Sequence, residues 1–531
     1  MDNFLSIPKW VMLPSLLISL LSIIPIFYLL LRSLGADHQT WEWLVRQNTL
    51  YVIGRSLALT FAVTLVSLVI SIPIAWLTIS TNIPFRKFWS VVTILPLVIP
   101  SYIGAYIFIS IMGPSGFADQ IFSTLGMDIK IPSLYGFFGS TLTLSFLSFP
   151  YVLLTIRSAL INMDPILLEA SNVLGVKRIH TIVKVIIPQL RIALISGGLL
   201  VALYTLSDFG AVSLLRYKTF TWSIYTQYEA SFDRHTAALM SLVLFSTALA
   251  IIIIFSTAKS RAAYHRSTSG SKRPGKISDL GNFKWLAFLF CALIFTISIV
   301  APVSVLLAWL IKGVMNGENL DNLFKMSINS ITLALATATL VVLISIPVSY
   351  LATRHNGIFS RAVERLCFTG FALPSIAVAL ALVFAGAQIG KPFYQSFWIM
   401  LVGCAILFIP AGIGSVKTSI LQISPRLEDS ARTLGKSQFM AAAKTTLPLM
   451  KPGILMAFAT VFLITMKELP AVLLLAPLDF HTLTTSIWSL SSEAFFARAA
   501  FPSIVLLLIS AVPMSIILLV QARSSATNKS N

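Results

Sequence analysis

Charged residues are scarce in this sequence. Asp, Glu, Lys and Arg together make up 11% of its 531 residues, against about 25% in a typical soluble domain. Hydrophobic residues account for 57%, and the mean hydropathy is +0.88. This composition excludes a soluble globular protein and a disordered chain, and it predicts an all-α membrane protein with many spans.

Side chains that could carry out covalent chemistry are also sparse. The three cysteines, Cys291, Cys367 and Cys404, lie far apart in apolar stretches, so they provide neither a disulfide framework nor a Cys-x-x-Cys metal site. The six histidines are scattered over different loops, and none is spaced from another as metal ligands are. We therefore expect no enzyme activity and no cofactor in this chain, and we assign no metal site.

Apolar runs long enough to cross a bilayer recur along the chain. We place twelve spans near residues 11–31, 52–79, 88–112, 134–156, 193–215, 238–257, 285–311, 327–352, 366–388, 396–416, 453–475 and 501–521. The apolar core of the first run is too long for a signal peptide, so we interpret it as a retained helix.

Acidic residues are half as numerous as basic ones, 19 against 38, which gives a net charge of +19. If the N-terminus is cytoplasmic, the predicted cytoplasmic segments contain 26 of the basic and 7 of the acidic residues, and so the whole excess. Lys and Arg concentrate on the cytoplasmic side of membrane proteins. We therefore expect both termini to be cytoplasmic, and the basicity calls for no nucleic-acid partner.

The chain contains an internal duplication. Ser71–Leu77 matches Ser345–Leu351 at an offset of 274, and Leu95-Pro96 matches Leu373-Pro374 with a small gap. Because six spans is an even number, both copies have the same orientation, and the repeat is parallel. The predicted divisions are a first six-helix repeat in 1–258, a basic cytoplasmic linker in 259–284 and a second six-helix repeat in 285–531.

The cytoplasmic loops after spans 4 and 10 share a motif at an offset of 260. In each loop a short helix ends at a Gly suited to a left-handed cap, and a Pro thirteen positions later marks the return to the membrane. The two copies predict protruding helix–turn–helix hairpins, whereas one copy alone would also fit an ordinary polar loop. The motif residues are Glu169, Ala170, Ser171, Gly175 and Pro188 in the first copy, and Asp429, Ser430, Ala431, Gly435 and Pro448 in the second.

This spacing resembles the EAA loop of binding-protein-dependent ABC importer permeases, and the resemblance covers nearly all of the chain beyond span 1. It implies a type I importer permease fold. In that family the loop is the coupling helix, which is seated in a groove of the ATPase subunit. The resemblance implies this role for both copies of the motif, although the second copy has Asp for Glu and Ser-Ala for Ala-Ala.

Two further pairs of stretches look like fused permeases of ferric-iron importers. Leu206–Ala211 pairs with Met466–Ala471, and Thr219–Tyr225 pairs with Thr482–Trp488. The resemblance implies ferric iron as the substrate. Related permeases for thiamine, aminoethylphosphonate and polyamines share much of these stretches, so those substrates stay open. An ion-gradient-driven secondary transporter is the alternative from another class, but it would not need paired coupling loops.

ATP hydrolysis is expected on a separate chain. Gly270–Lys276 reads GSKRPGK, but Ile277 stands where a Walker A loop has Ser or Thr, and no strand precedes it. The family resemblance implies two copies of an ATP-binding subunit and an extracytoplasmic substrate-binding protein as partners, in the bacterial cytoplasmic (inner) membrane.

Charges inside a membrane span are costly and are therefore candidates for function. Asp208 and Glu468 lie within spans 5 and 11 at the same offset of 260, roughly 23 Å from the cytoplasmic end at 1.5 Å per residue. Carboxylate oxygens suit a hard cation, so we expect both acids to line the translocation path. The alternative is that Asp208 caps or pairs locally and that a nearby cation holds Glu468. Tyr204, Tyr225 and Glu229 are further path candidates.

Overall fold

A computed structural model describes residues 7–35, 38, 41–42, 46–113, 116–124, 126, 134–161, 163, 180, 186–229, 234–260, 278–318, 322–355, 357–388 and 393–530. Within these ranges the regular structure is helical, apart from one isolated β-bridge between Thr81 and Ser278. The all-α prediction is therefore confirmed.

The helices fall into two series, one on each side of the linker. The first series is α1 Lys9–Leu34, α2 Gln47–Ser80, α3 Arg86–Val92, α4 Ser101–Met112, α5 Phe117–Thr124, α6 Phe137–Ile161, α7 Ile187–Ser207, α8 Gly210–Leu214, α9 Phe220–Glu229 and α10 Arg234–Ser260. The second series is α11 Phe283–Phe295, α12 Ala301–Met315, α13 Leu323–Arg354, α14 Ile358–Cys367, α15 Thr369–Ala372, α16 Ser375–Gln388, α17 Phe397–Leu421, α18 Arg426–Thr433, α19 Gln438–Ala441, α20 Leu447–Leu449, α21 Lys451–Met466, α22 Pro470–Leu475, α23 Leu483–Ser492 and α24 Phe496–Ser530.

These helices account for the predicted membrane spans. Within the described part of the chain, nine helical stretches are long and apolar enough to cross a membrane, or eleven if two bent pairs each form one span. α16 is a shorter apolar helix that falls on predicted span 9. The duplicated, many-span architecture is thus confirmed, but not every span is one continuous helix.

Proline breaks the third span of each repeat at the same place. Ile99 and Leu373 are extended, with ψ of 118° and 120°, as the residue before a proline prefers. A new helix then begins directly after Pro100 and Pro374. The structure thus equates Pro100, not Pro96, with Pro374, and the offset of 274 continues without the gap that the sequence comparison introduced.

Val45–Ser223 and Ser246–Lys312 form one compact unit, here called the repeat-1 unit. In it α2, α6 and α7 pack on one another. The hydroxyl of Ser71 donates to the carbonyl of Phe149 at 2.7 Å, and a Cβ on Gly197 would lie 2.4 Å from Thr155 Oγ1. Small residues at such contacts let membrane helices approach closely.

The repeat-1 unit also contains the helix that follows the linker. Cys291 of α11 packs with Trp89 and Val92 in one buried cluster. Just before α11, the Ser278 N–H donates to the Ser80 carbonyl at 2.8 Å, and the Asn82 N–H donates to the Ser278 carbonyl at 3.2 Å. The end of the linker is therefore attached to the loop that follows α2.

Met1–Leu44, Ile224–Phe245 and Gly313–Asn531 form the repeat-2 unit. α13, α17 and α21 pack together, and α1 packs on α13, with Val11 and Ile18 in the same buried core. The compact units thus place α1 with the second repeat and α11 with the first. The divisions at 258 and 285 describe the duplication along the chain, and they stay a prediction.

Candidate functional site

The second hairpin, which the sequence predicts to be cytoplasmic, forms a helix–turn–helix. α18 begins after Pro425 and is followed by Gly435, whose φ of +81° lies in the left-handed region. The Gly435 N–H donates to the Arg432 carbonyl at 3.0 Å, and the Lys436 N–H donates to the Ala431 carbonyl at 3.2 Å. These two bonds form a Schellman cap.

The first hairpin is described only in part. Glu169, Ala170, Ser171 and Gly175 lie outside the described residues. Pro188 is described and stands at the second position of α7, where a proline needs no N–H partner.

The exposed side chains of the second hairpin include the motif acid and large apolar groups. Asp429 and Ser430 are exposed, and Ala431 is half-buried. Leu434 is 82% exposed and Phe439 is 55% exposed. Such apolar side chains, grouped outside the core, are typical of a surface that another protein covers.

The chain leaves the hairpin through a π-helical turn at Ala442–Thr446 and the short helix α20, which contains Pro448. Gln438–Leu449 and Lys451–Met466 then meet at a bend of 69°. Pro448 lies just before this bend, and the return to the membrane at this point stays a prediction.

One residue of the hairpin that the sequence reasoning missed is Glu428, the buried side chain of α18. Its carboxylate accepts hydrogen bonds from Tyr350 Oη at 2.6 Å, Arg354 Nε at 3.0 Å and Thr446 Oγ1 at 2.5 Å. Burial favours a higher pKa for Glu428, but the bonds from Thr446 and Tyr350, together with Arg354, lower it below its ordinary value. The sequence offered one signal for this role: Glu428 directly precedes the motif in the second copy, where the first copy has Leu168.

The acids predicted to line the path lie at breaks in the fifth span of each repeat. α7 ends at Ser207, and Asp208 follows with ψ of 131°. Asp208 Oδ1 accepts the N–H groups of Ala211 at 3.0 Å and Val212 at 3.3 Å, and it thus caps α8. The continuous helix predicted across 193–215 is therefore wrong at this point, because the chain turns at Asp208.

The second repeat shows the same arrangement. α21 ends at Met466, and Glu468 Oε1 accepts the Ala471 N–H at 3.1 Å at the start of α22. Pro470 opens α22 and has no N–H to continue the preceding helix. Local capping, the alternative for Asp208, is thus observed for both acids.

In each unit the break in the fifth span lies against the proline break in the third span. Asp208 is hydrogen-bonded to Ser101, the first residue of α4, and α4 packs on α8. Glu468 is hydrogen-bonded to Ser375, the first residue of α16, and α16 packs on α22. Ser101 and Ser375 were missed from the sequence, although the serines that follow Pro100 and Pro374 are related by the offset of 274.

The five path candidates are divided between the two units. Asp208 is buried in the repeat-1 unit, where the Tyr204 ring lies 5.6 Å from the Tyr151 ring. Glu468 is half-buried in the repeat-2 unit. The remaining two candidates are also in that unit: Tyr225 is hydrogen-bonded to Glu229, which is exposed, and its ring meets that of Trp488 edge-on at 5.8 Å.

Among the described residues, no three His, Cys, Asp or Glu side chains are grouped closely enough to hold a metal ion.

Comparison with known proteins identifies the family. Residues 67–264 and 345–526 each match the model of the binding-protein-dependent transport system inner membrane component. The chain belongs to this family. The match occurs twice, as the duplication predicted, and it covers both hairpins and both helix breaks of the permease.

Two relatives align with most of this chain. The permease is 32% identical over 514 residues to the Fe(3+)-transport system permease protein FbpB 2 of Haemophilus influenzae, which covers 96% of this chain and 97% of the relative. It is 23% identical over 483 residues to the ferric transport system permease protein FbpB of Actinobacillus pleuropneumoniae, covering 87% and 70%.

A shorter relative matches less than half of the chain. The sulfate transport system permease protein CysT of Salmonella typhimurium is 26% identical over 229 residues, covering 42% of this chain and 81% of the relative. Family membership therefore identifies a multi-pass inner-membrane permease of an ABC importer, with ATPase and substrate-binding partners in general. The predicted resemblance is confirmed.

Proposed function

We propose that this permease imports ferric iron as the membrane subunit of an ATP-driven transporter. The main evidence for ferric iron as the substrate is the similarity to the Fe(3+)-transport permease of H. influenzae over nearly the full length of both chains. The carboxylates at the two helix breaks support it, because oxygen ligands suit a hard cation.

The hairpins are the proposed contacts with two separate ATPase subunits. Exposed Asp429, half-buried Ala431 and the exposed apolar side chains of the second hairpin support this role. Small side chains allow a partner to approach α18, and Gly435 sets the turn that follows it. The matching motif assigns the same contact to Glu169, Ala170, Ser171 and Gly175 in the first repeat.

The paired helix breaks are the proposed points at which each repeat contributes to the path. Non-helical backbone at membrane depth is tolerated where protein buries it or where it lines a water-filled cavity, and broken helices mark the binding sites of many transporters. Asp208 and Glu468 lie at these breaks, and each places a carboxylate there. Alternating access would then require the breaks to open to one side of the membrane at a time.

Iron uptake by cells tests the substrate. We expect cells whose other iron importers are deleted to accumulate radioactive iron when they carry the permease with its ATPase and its substrate-binding protein. An ATPase subunit with its Walker A lysine replaced is the control, and it should abolish uptake. Uptake of sulfate, thiamine or an aminophosphonate without any uptake of iron would leave the role as an importer permease intact. It would show that the assignment of ferric iron as the substrate is wrong.

A further inference from the structure

The buried carboxylate of Glu428 joins three separate elements of the repeat-2 unit. Arg354 closes the cytoplasmic end of α13, Thr446 lies in the π-helical turn before α21, and Glu428 belongs to α18. Only 9% of the Glu428 side chain and 11% of the Arg354 side chain are exposed. The hairpin is thus bound on its inner side to the ends of two spans.

Neighbouring groups hold this cluster in place. A second nitrogen of Arg354, Nη2, donates to the Ile423 carbonyl at 3.2 Å, just before the hairpin begins. The Tyr350 ring, whose hydroxyl binds Glu428, lies 5.3 Å from the ring of Trp10. Trp10 also meets Phe439 of α19 edge-on at 5.2 Å, so α1 contacts both the span and the hairpin.

At the positions that the two repeat offsets relate to this cluster, the sequence of the first repeat has no charged residue. At the repeat offset of 274, Tyr350 and Arg354 correspond to Trp76 and Ser80. At the hairpin offset of 260, Glu428 and Thr446 correspond to Leu168 and Ile186, as the sequence shows. The first repeat therefore lacks the acid, the base and both hydroxyl donors of the cluster. Joint replacement of all four is the pattern expected of residues that act as one group.

We propose that Glu428 is a positioning residue that fixes the second coupling hairpin to α13 and α21, so that the two hairpins of this permease transmit force unequally. The proposal rests on the proposed coupling role of the hairpins. A carboxylate held by three side-chain donors resists rotation of α18 relative to α13, because any rotation leaves buried charges unpaired. Movement of the hairpin therefore carries both spans with it.

The test measures coupling in reconstituted vesicles that contain the permease, its ATPase and iron-loaded binding protein. We compare Glu428→Leu, which introduces the first repeat's residue, with Glu428→Gln, which keeps the size but removes the charge. For Glu428→Leu we expect iron transported per ATP to fall about fivefold or more, the lower end of typical coupling effects, with ATPase assembly retained. Glu428→Gln should show a smaller fall in the same ratio.

Two further variants separate positioning from folding. Glu364 pairs with Lys417 at another partly buried site in the repeat-2 unit, and Glu364→Gln should leave iron per ATP at the wild-type value. The double variant Glu428→Leu/Arg354→Ser removes the unpaired cation as well. If the cluster positions the hairpin, the double variant stays uncoupled; full recovery of coupling would mean that only the buried charge mattered, and would overturn the proposal.

The outcomes also distinguish this proposal from the function on which it rests. If the wild-type permease neither binds the ATPase nor moves iron with ATP, the proposed function is wrong. If the wild type is active and Glu428→Leu transports as much iron per ATP as the wild type, the positioning role alone is wrong. If Glu428→Leu fails to assemble with the ATPase, Glu428→Gln becomes the deciding variant. If Glu428→Gln transports as much iron per ATP as the wild type, the positioning role is wrong.

Discussion

At the residue scale, Asp208 and Glu468 combine two properties that can be separated by mutation. Asp208 accepts two backbone N–H groups and Glu468 accepts one, which a broken helix would otherwise leave unsatisfied. Each also places an acidic group at a break in a span. A carboxylate that only caps a helix can be replaced by an amide, because the amide oxygen still accepts the same bonds. A carboxylate that attracts a cation cannot.

The first prediction compares amide and alanine variants at these positions. Asp208→Asn and Glu468→Gln should keep the caps and the ATPase assembly but lower iron uptake, and the double amide variant should be nearly inactive. Asp208→Ala should in addition lose about 1 kcal/mol of local stability with the cap. Iron uptake by cells measures transport, and co-purification of the ATPase measures assembly. Normal uptake by all amide variants would mean that both acids have only a structural role.

The second prediction concerns the backbone of Gly435. A Cβ at this position would meet no atom within 4 Å, so a substitution is penalised by the left-handed φ of +81° and not by crowding. Gly435→Val should weaken the cap of α18 by about 1–2 kcal/mol and reduce both uptake and ATPase co-purification. Gly435→Asn is the matched control, because Asn tolerates this conformation, and it should remain near wild type. Equal activity of the two variants would contradict the role of the turn.

At the element scale, the sequence predicted where spans lie better than where they break. Apolar length located the spans, because a bilayer imposes a minimum length on any crossing helix. The breaks depend on which backbone groups find partners, and these partners come from other helices: Ser101 meets Asp208, and Ser375 meets Glu468. Contacts between elements distant in sequence leave no periodic pattern, so the paired breaks could be recognised only in three dimensions.

The third prediction concerns the stability of α18 as a function of pH. The pKa of Glu428 in the folded chain is lower than its ordinary value, so its contribution to stability is complete above the unfolded value, about 4.3. That contribution is lost as the pH falls through the lower folded value. In detergent, hydrogen exchange in residues 426–433, corrected for the intrinsic rate, should stay slow from pH 8 to about 5 and accelerate below about pH 4.

Charged neighbours define the control for this pH experiment. The pKa of His355 is lowered by burial, although the nearby Glu428 opposes that shift. Because Glu428→Gln cannot take up a proton, exchange in its α18 should change much less between pH 5 and 3.5 than in the wild type. An identical acceleration in both proteins would assign the effect to another group.

At the scale of the whole molecule, composition predicted the class and internal sequence matches predicted the repeat, whereas the grouping of helices into units required the structure. α1 carries no sequence signal that it packs with the second repeat; its Val11 and Ile18 fit that core by shape. Likewise, α11 follows the linker yet packs in the repeat-1 unit through Cys291. Apolar faces show that a helix must pack, but they do not name its partner.

The fourth prediction tests the orientation of the chain. Lys436 in the second hairpin is exposed, and Leu478, between α22 and α23, is 80% exposed. Because 26 of the 38 Lys and Arg residues fall on the predicted cytoplasmic side, a cysteine at Lys436→Cys should react with a membrane-impermeant maleimide only after the cells are opened. A cysteine at Leu478→Cys should react in intact cells.

The native cysteines Cys291, Cys367 and Cys404 are buried, so the unmodified permease should label weakly under both conditions. Labelling of Lys436→Cys in intact cells would reverse the orientation and place the hairpins outside the reach of an ATPase.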